Sequence, residues 1–468
     1  MKTPLLRLLI LLLVLPTSTG TAAPLRNVIL IIGDGFDDQH VTMGRNYLAG
    51  MSGTLRVDQL AFRAAVQVET LSVDGLPVYV ADSANTATAL ATGTLTSIGR
   101  IGTNINDQDA QTIAELAMAA GLRVGLVTTS SITDATPASF LSHVSARSCE
   151  GPDEILGSTY YGIPQPACPQ DARDNGGPGS IIEQLITSGA HVLLGGGQKF
   201  LNQTTIEGKK VHAVAEAEGF QVISDASALA AVDPNTRLLG VFDEETLPVR
   251  WRGTDGRTAE AAETSWLNQI SDYLGEAKEP MPIACEANPD YGNTPSVAAM
   301  TEAALRHLSK DNAQGFFLMV ESASIDKQSH KRDPCGSIGE IAQLEEALAL
   351  ATTFSEAHPD TLIIVTADHA QAAQILPEPS LYDKYPIPIY SPGLTARVQT
   401  PEGGLMRVNY ATSNGFSEEH TGANVPLFSN EAGRSVLRPF MRQRDVHQAM
   451  RSFLLNDQVL SPGHSTTD

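Results

Sequence analysis

The sequence predicts an α/β fold: a doubly wound, mostly parallel central sheet with helices on both faces. Three observations carry that expectation. Short apolar, β-branched runs recur along the 468 residues. Helical patterns separate them, and acids, imidazoles or hydroxyls follow the runs directly. Continuous apolarity belongs to strands buried on both faces, as in a parallel sheet covered by helices. Regular strand–helix alternation is how such a sheet is wound.

In chain order, Lys2 and Arg7 first flank the start of "LLILLLVLP", followed by "TSTGTAAP". That is the charged, apolar, small-residue order of a secretory signal. The apolar run is short for a membrane span. Cleavage near Ala22 or Ala23 is expected rather than an uncleaved anchor, leaving a soluble, exported chain, periplasmic or secreted. Strands are expected at "NVILII" (27–32), "RVGLVT" (123–128), "HVLL" (191–194), "GFFLMV" (315–320) and "TLIIVT" (361–366). Helices are expected at Ala84–Ala91, Gln111–Ala120, Ser180–Thr187, Val297–Leu308 and Ile338–His358. The last has Ile341, Leu344, Ala347 and Leu348 on one stripe. "LGGGQKF" (194–200) lacks the G-K-[ST] ending of a phosphate loop and reads as a strand and a turn. Residues 200–295 hold few strong strands and many acids, and are expected to form a peripheral insertion. Residues 376–394, rich in proline and tyrosine, read as loop.

No Ser/Gly linker, repeat or low-complexity tract divides the chain, so residues 24–468 are expected to form one large domain. The net charge of −22 becomes two more negative when Lys2 and Arg7 leave with the signal. Such a surface argues against nucleic acid or an anionic membrane as partner. It leaves room for a small anionic substrate, because a few local cations can reverse the field within one cleft. The four cysteines, Cys149, Cys168, Cys285 and Cys335, suggest two disulfides in an exported chain, with three possible pairings. Their spacing does not suit a zinc–thiolate site.

Ligands of open α/β sheets bind at the carboxyl ends of the strands. Those ends run into Asp34, into Asp134 and Thr136, into Glu321, Asp326 and His330, and into Asp368 and His369. Asp326 and His330 are four residues apart, so one helix would place both on one face. Asp368 and His369 are adjacent and suit a metal only in a tight turn. Among eleven histidines, His330, His369 and His420 lie in polar, small-residue surroundings. His143, His191, His307 and His358 have ordinary structural contexts. Aspartate with histidine favours zinc; the oxygen-only set Asp34, Thr136 and Glu321 suits magnesium. Ser83 opens a helical stretch without a G-x-S-x-G elbow or a nearby histidine. A metal could activate it instead, and a helix start favours phosphate. Asp82, beside it, receives no role.

The stretches "IIGDG", "YVADSANTATALATG", "TDATPASFLSHVSARSC", "ESASIDKQSHKRDPCGSIGE", "VTADHA" and "EEHTG" resemble, in order, the motifs of the alkaline phosphatases, and of the bacterial periplasmic kind in particular. The likeness runs from about Val28 past Gly422 and thins over residues 374–412 and the C-terminal tail. The resemblance implies Ser83 as a phosphorylated nucleophile and Arg147 as the group that grips phosphate. It implies one zinc on Asp326, His330 and His420, a second on Asp34, Asp368 and His369, and a magnesium on Asp34, Thr136 and Glu321. Asp134 and Lys327 match positions around that magnesium. The implied disulfides are Cys149–Cys168 and Cys285–Cys335, and a homodimer is expected from the family.

The implied reaction is hydrolysis of phosphate monoesters, with one zinc holding the serine oxygen and the other taking charge on the leaving oxygen. Arg147 offers two parallel donors that a lysine could not reproduce. A phosphodiesterase or promiscuous esterase on this scaffold has one fewer free phosphate oxygen for that fork. A sulfatase lacks support because Ser83 is without the Cys/Ser-x-Pro-x-Arg pattern. A non-catalytic exported phosphate- or metal-binding protein would have no need of the serine.

Overall fold

The computed structural model describes residues 26–160 and 162–455; the expected signal segment lies outside them. Among the described residues the central sheet has ten strands. In chain order they are β1 (Arg26–Gly33), β2 (Phe62–Gln67), β3 (Arg123–Ser131), β4 (Val192–Gly196), β5 (Phe220–Ile223), β6 (Arg237–Val241), β7 (Gly315–Ser322), β8 (Thr361–Ala367), β9 (Val425–Ser429) and β10 (Phe440–Arg442). Their spatial order is β10-β2-β9-β8-β1-β7-β3-β4-β6-β5. All run one way except β9, which is antiparallel to β8 and β2. The principal helices are α1 (Asp38–Leu48), α2 (Ser83–Thr92), α3 (Ile113–Ala119), α4 (Ala135–Ala138), α5 (Ile181–Thr187), α6 (Val297–Ser309), α7 (Ser324–His330), α8 (Pro334–Ala357) and α9 (Gln443–Leu455).

The five expected strands and five expected helices are all present, within a few residues of their expected limits. Every residue of β7 and β8 is buried, as continuous apolar runs require when helices cover both faces. Ile341, Leu344, Ala347 and Leu348 of α8 are buried as well. No helix among the described residues is long and apolar enough to cross a membrane.

Two regions differ from expectation. Residues 200–295 are not all peripheral, because β5 and β6 lie within them and complete one side of the central sheet. These strands have four and five residues, too short for their pattern to stand out among the surrounding acids. The proline- and tyrosine-rich stretch is loop over 377–393, as expected, but the wider 374–412 region is not. Gln374–Leu376, Leu394–Gln399 and Leu405–Tyr410 form a separate three-stranded antiparallel sheet, with the proline- and tyrosine-rich stretch between the first two. After β4, Gln198–Leu201 forms a single helical turn rather than a plain turn. Disulfides join Cys149 to Cys168 and Cys285 to Cys335, the pairings implied by the resemblance.

α9 packs against α2, the helix that begins at Ser83. α2 ends on Gly93, whose φ of 72° favours glycine. A Cβ there would also come within 2.9 Å of the His447 ring. Burial pushes His447 down to about 4, only partly opposed by the Ala91 and Leu90 backbone. An unfolded histidine titrates near 6.5, so the folded chain binds fewer protons between these limits. The His447 contribution to stability is therefore complete above about pH 6.5 and is lost as pH falls toward about 4. Denaturant titrations across this window are expected to show a shallower pH dependence for His447→Gln than for the parent. Equal slopes would contradict the assignment.

Candidate active site

Strand register assembles the site. Ile32 and Gly33 of β1 pair with Glu321 and Ser322 of β7 on one side and with Thr366 and Ala367 of β8 on the other. Asp34 and Asp368 therefore leave neighbouring strands at the same level, beside Glu321. On its other side Glu321 pairs with Thr128 of β3. The chain then turns from β7 into α7, which carries Asp326 in its first turn and His330 in its last. Asp368 and His369 sit in a bend after β8, the tight turn that adjacent ligands need. His420 comes from the loop before β9, Ser83 begins α2, and Asp134 is the N-cap of α4, which contains Thr136.

Two groups of donor atoms converge. Asp326, His330 and His420 form one, with His330 Nε2 at 3.0 Å from His420 Nε2 and 3.3 Å from Asp326 Oδ2. The other centres on His369, whose Nε2 converges with Asp34 and Asp326 and lies 3.3 Å from Asp34 Oδ1, with Asp368 Oδ2 beside the group at 3.4 Å from the same nitrogen. Asp326 also converges with Asp34 and His369, so it stands between the groups. The His369 and His420 rings stack with centroids 3.7 Å apart. Each imidazole is oriented from behind, since Nδ1 of His330, His369 and His420 donates to the carbonyls of Glu418, Ala370 and Ala81. These bonds place the proton on Nδ1 and leave the Nε2 lone pairs facing inward, as metal-ligating histidines require.

The electrostatics call for cations. Asp34, Asp326, Asp368 and Glu321 are each at most 5 % exposed, and buried charges of one sign are costly unless compensated. Burial first, then Asp368, Asp326 and Glu321, raises Asp34 well above the usual carboxylate range. Burial pushes Glu321 up to about 7, against a hydrogen bond from Thr128. Burial would also raise Asp326, but His330, His420 and His369 outweigh it and hold its carboxyl low. Burial and His369 pull His420 down to about 4. Asp34 Oδ1 and Asp368 Oδ2 are buried without a hydrogen bond. Crowded acids, unpartnered oxygens and inward imidazole nitrogens fit divalent cations.

Ser83 is buried at the start of α2, its Oγ 3.0 Å from His369 Nε2. The adjacent Asp82 accepts from Arg147 Nη1 at 2.6 Å and from the Gly99 N–H at 3.0 Å. Arg147 Nη2 donates to Asp134 Oδ1 at 2.7 Å, and Lys327 Nζ to Asp134 Oδ2 at 2.5 Å. Burial opposes ionisation of Asp134, yet Lys327 and Arg147 prevail and hold it below the usual carboxylate range. The sequence-selected residues thus come together in one place. Sequence reasoning missed Asp82, which orients Arg147, and Gln371, whose Nε2 donates to Asp326 Oδ1 at 2.5 Å. The one available signal for Asp82 was an acid abutting the candidate nucleophile; nothing in the pattern marked Gln371.

A parallel α/β sheet whose strand ends gather metal-donor side chains around one serine defines the class, a metal-dependent hydrolase. The family model described as alkaline phosphatase matches residues 25–435. The chain belongs to the alkaline phosphatase family. It is 38 % identical to the alkaline phosphatase of Escherichia fergusonii, over 92 % of this chain and 86 % of that one. It is 40 % identical to the streptomycin-6-phosphate phosphatase of Streptomyces griseus, over 88 % and 86 %. The structure of alkaline phosphatase from the Antarctic bacterium TAB5 aligns with a TM-score of 0.64 at 21 % identity, covering 92 % of this chain and 99 % of that one. A mutant of the TAB5 enzyme was solved with magnesium bound in its M3 site.

Proposed function

We propose that this chain hydrolyses phosphate monoesters, releasing inorganic phosphate through a phosphoserine on Ser83. The observation that carries the proposal is the position of Ser83 Oγ, 3.0 Å from His369 Nε2 within a cluster of metal donors. Asp326, His330 and His420 would hold one zinc; Asp34, Asp368 and His369 would hold a second; Asp34, Thr136 and Glu321 would hold magnesium. Bound there, the ions supply positive charge to the serine oxygen, to the leaving oxygen and to an attacking water.

The chain's own groups do the positioning. The start of α2 offers Ser83 in line with backbone N–H groups and the positive end of the helix dipole, which favour phosphate. Arg147 presents a planar fork, held between Asp82 and Asp134 so that its orientation is set before substrate arrives. Lys327 neutralises Asp134 and brings positive charge toward the dianionic substrate.

Paired rates on an aryl phosphate monoester and the matching diester test this reading, together with metal analysis of the active protein. A large monoester preference with zinc and magnesium present is expected. Equal rates on both esters, or full activity without metal, would overturn it. Glu321→Ala is expected to lower turnover by about 10- to 100-fold, the usual cost of damaging a metal's surroundings, while zinc content holds. Loss of zinc in that variant would mean the magnesium site is misassigned. The same reading includes an exported chain with residues 24–468 as one catalytic domain, assembled as a homodimer. N-terminal sequencing of the secreted protein and sedimentation measure these directly.

A further inference from the structure

The first donor cluster joins parts of the chain that are far apart. Asp326 and His330 belong to α7, whereas His420 belongs to a loop ninety residues on in sequence. Something has to hold that loop against the helix, and Glu418 makes the contacts. Its backbone N–H donates to the His330 carbonyl at 3.1 Å. Its own carbonyl accepts from His330 Nδ1 at 2.6 Å. One residue thus clasps His330 at both backbone and ring, and His420 follows two positions later.

The Glu418 side chain is fixed in turn. It is 1 % exposed, and Oε1 accepts from Arg332 Nε at 2.6 Å. Oε2 accepts from Thr412 N at 2.8 Å, Thr412 Oγ1 at 2.6 Å and Ser413 N at 3.2 Å. Arg332 also donates from Nη2 to the Gly415 carbonyl at 2.8 Å. Arg332 lies between α7 and α8 with φ at 61°, a left-handed conformation uncommon for arginine. A strained backbone at such a junction persists only where other contacts hold it, and here its guanidinium reaches the loop that carries His420.

We propose that Glu418, through its ion pair with Arg332, is a positioning residue that clips the 412–420 loop to α7 and so sets the metal affinity of the Asp326–His330–His420 cluster. The inference rests on the metal-site reading above. It predicts an effect on one cluster and not the other, because the Asp34–Asp368–His369 donors are held by strand register instead. A purely structural contact would lower stability without selecting between clusters.

The experiment is zinc titration of the metal-stripped full chain against a chelating dye, for the parent, Glu418→Gln and Arg332→Lys. Both substitutions keep much of the local packing, and circular dichroism identifies any variant that does not fold. The parent is expected to bind two zinc ions. In each folded variant one of the two should bind about 10-fold more weakly or worse, with the other unchanged. The zinc concentration giving half-maximal turnover should rise by the same factor. Unchanged affinities in either folded variant, or equal weakening at both clusters, would overturn the proposal while leaving the metal sites in place. A parent chain that binds no zinc would overturn the metal-site reading and the proposal together.

Discussion

Ser83→Ala is expected to reduce phosphate monoester turnover by about 10³-fold or more, the scale on which removal of an essential nucleophile acts, while both donor clusters keep their metal. The reason is geometric. Ser83 Oγ borders the second cluster, but the carboxylates and imidazoles that would bind the metal do not depend on it for orientation. His369, its partner at 3.0 Å, is held from the other side by the Ala370 carbonyl. Its neighbour Asp82 keeps its bonds to Arg147 and Gly99, so phosphate should still bind. Single-turnover measurements should detect no phosphorylated protein in the variant and a phosphoserine in the parent. Turnover close to the parent's in a metal-loaded Ser83→Ala would remove the serine from the chemistry.

Asp326→Asn is expected to have the second large effect, and to differ from substitution of any other ligand. Asp326 converges with His330 and His420, and also with Asp34 and His369. Its carboxyl is held ionised by three surrounding imidazoles against the effect of burial. An amide of the same shape takes away a charge felt by both clusters. Both zinc affinities should fall, by about 10-fold or more, and turnover should fall by at least about 10²-fold because both ends of the displacement lose charge stabilisation. His420→Asn should weaken one zinc alone. Calorimetric zinc titrations of the two variants distinguish the cases. If Asp326→Asn weakened only one site, its position between the clusters would have no energetic consequence.

Much of the site was legible in the sequence because it lies where a parallel sheet must end. Asp34, Glu321 and Asp368 each terminate an apolar run, so recognising β1, β7 and β8 was enough to place them on one edge. Asp326 and His330 were legible as an i, i+4 pair, and the helix that presents them is short but regular. β5 and β6 were not legible, because four or five residues bounded by charged loops carry too little periodicity. The small sheet within residues 374–412 was hidden for another reason. Its strands are short and stand apart from the central sheet, and Leu394–Gln399 carries Arg397 while Leu405–Tyr410 carries Arg407, which share Glu378. Charged residues thus interrupt the apolar positions Ala396, Val398, Met406 and Val408, which are buried.

The sequence by itself determined the α/β alternation, the identity of the donor residues and the family, because these follow from local periodicity and from residue types in fixed short motifs. Only the tertiary structure decided how those donors and their supporting residues meet. It placed Asp326 between two groups, gave Asp82 a purpose as the anchor of Arg147, and made Glu418 the link between α7 and the His420 loop. The physical reason is that each of these depends on side chains separated by tens to hundreds of residues. Their meeting is set by strand register and helix packing, neither of which leaves a mark on the local sequence.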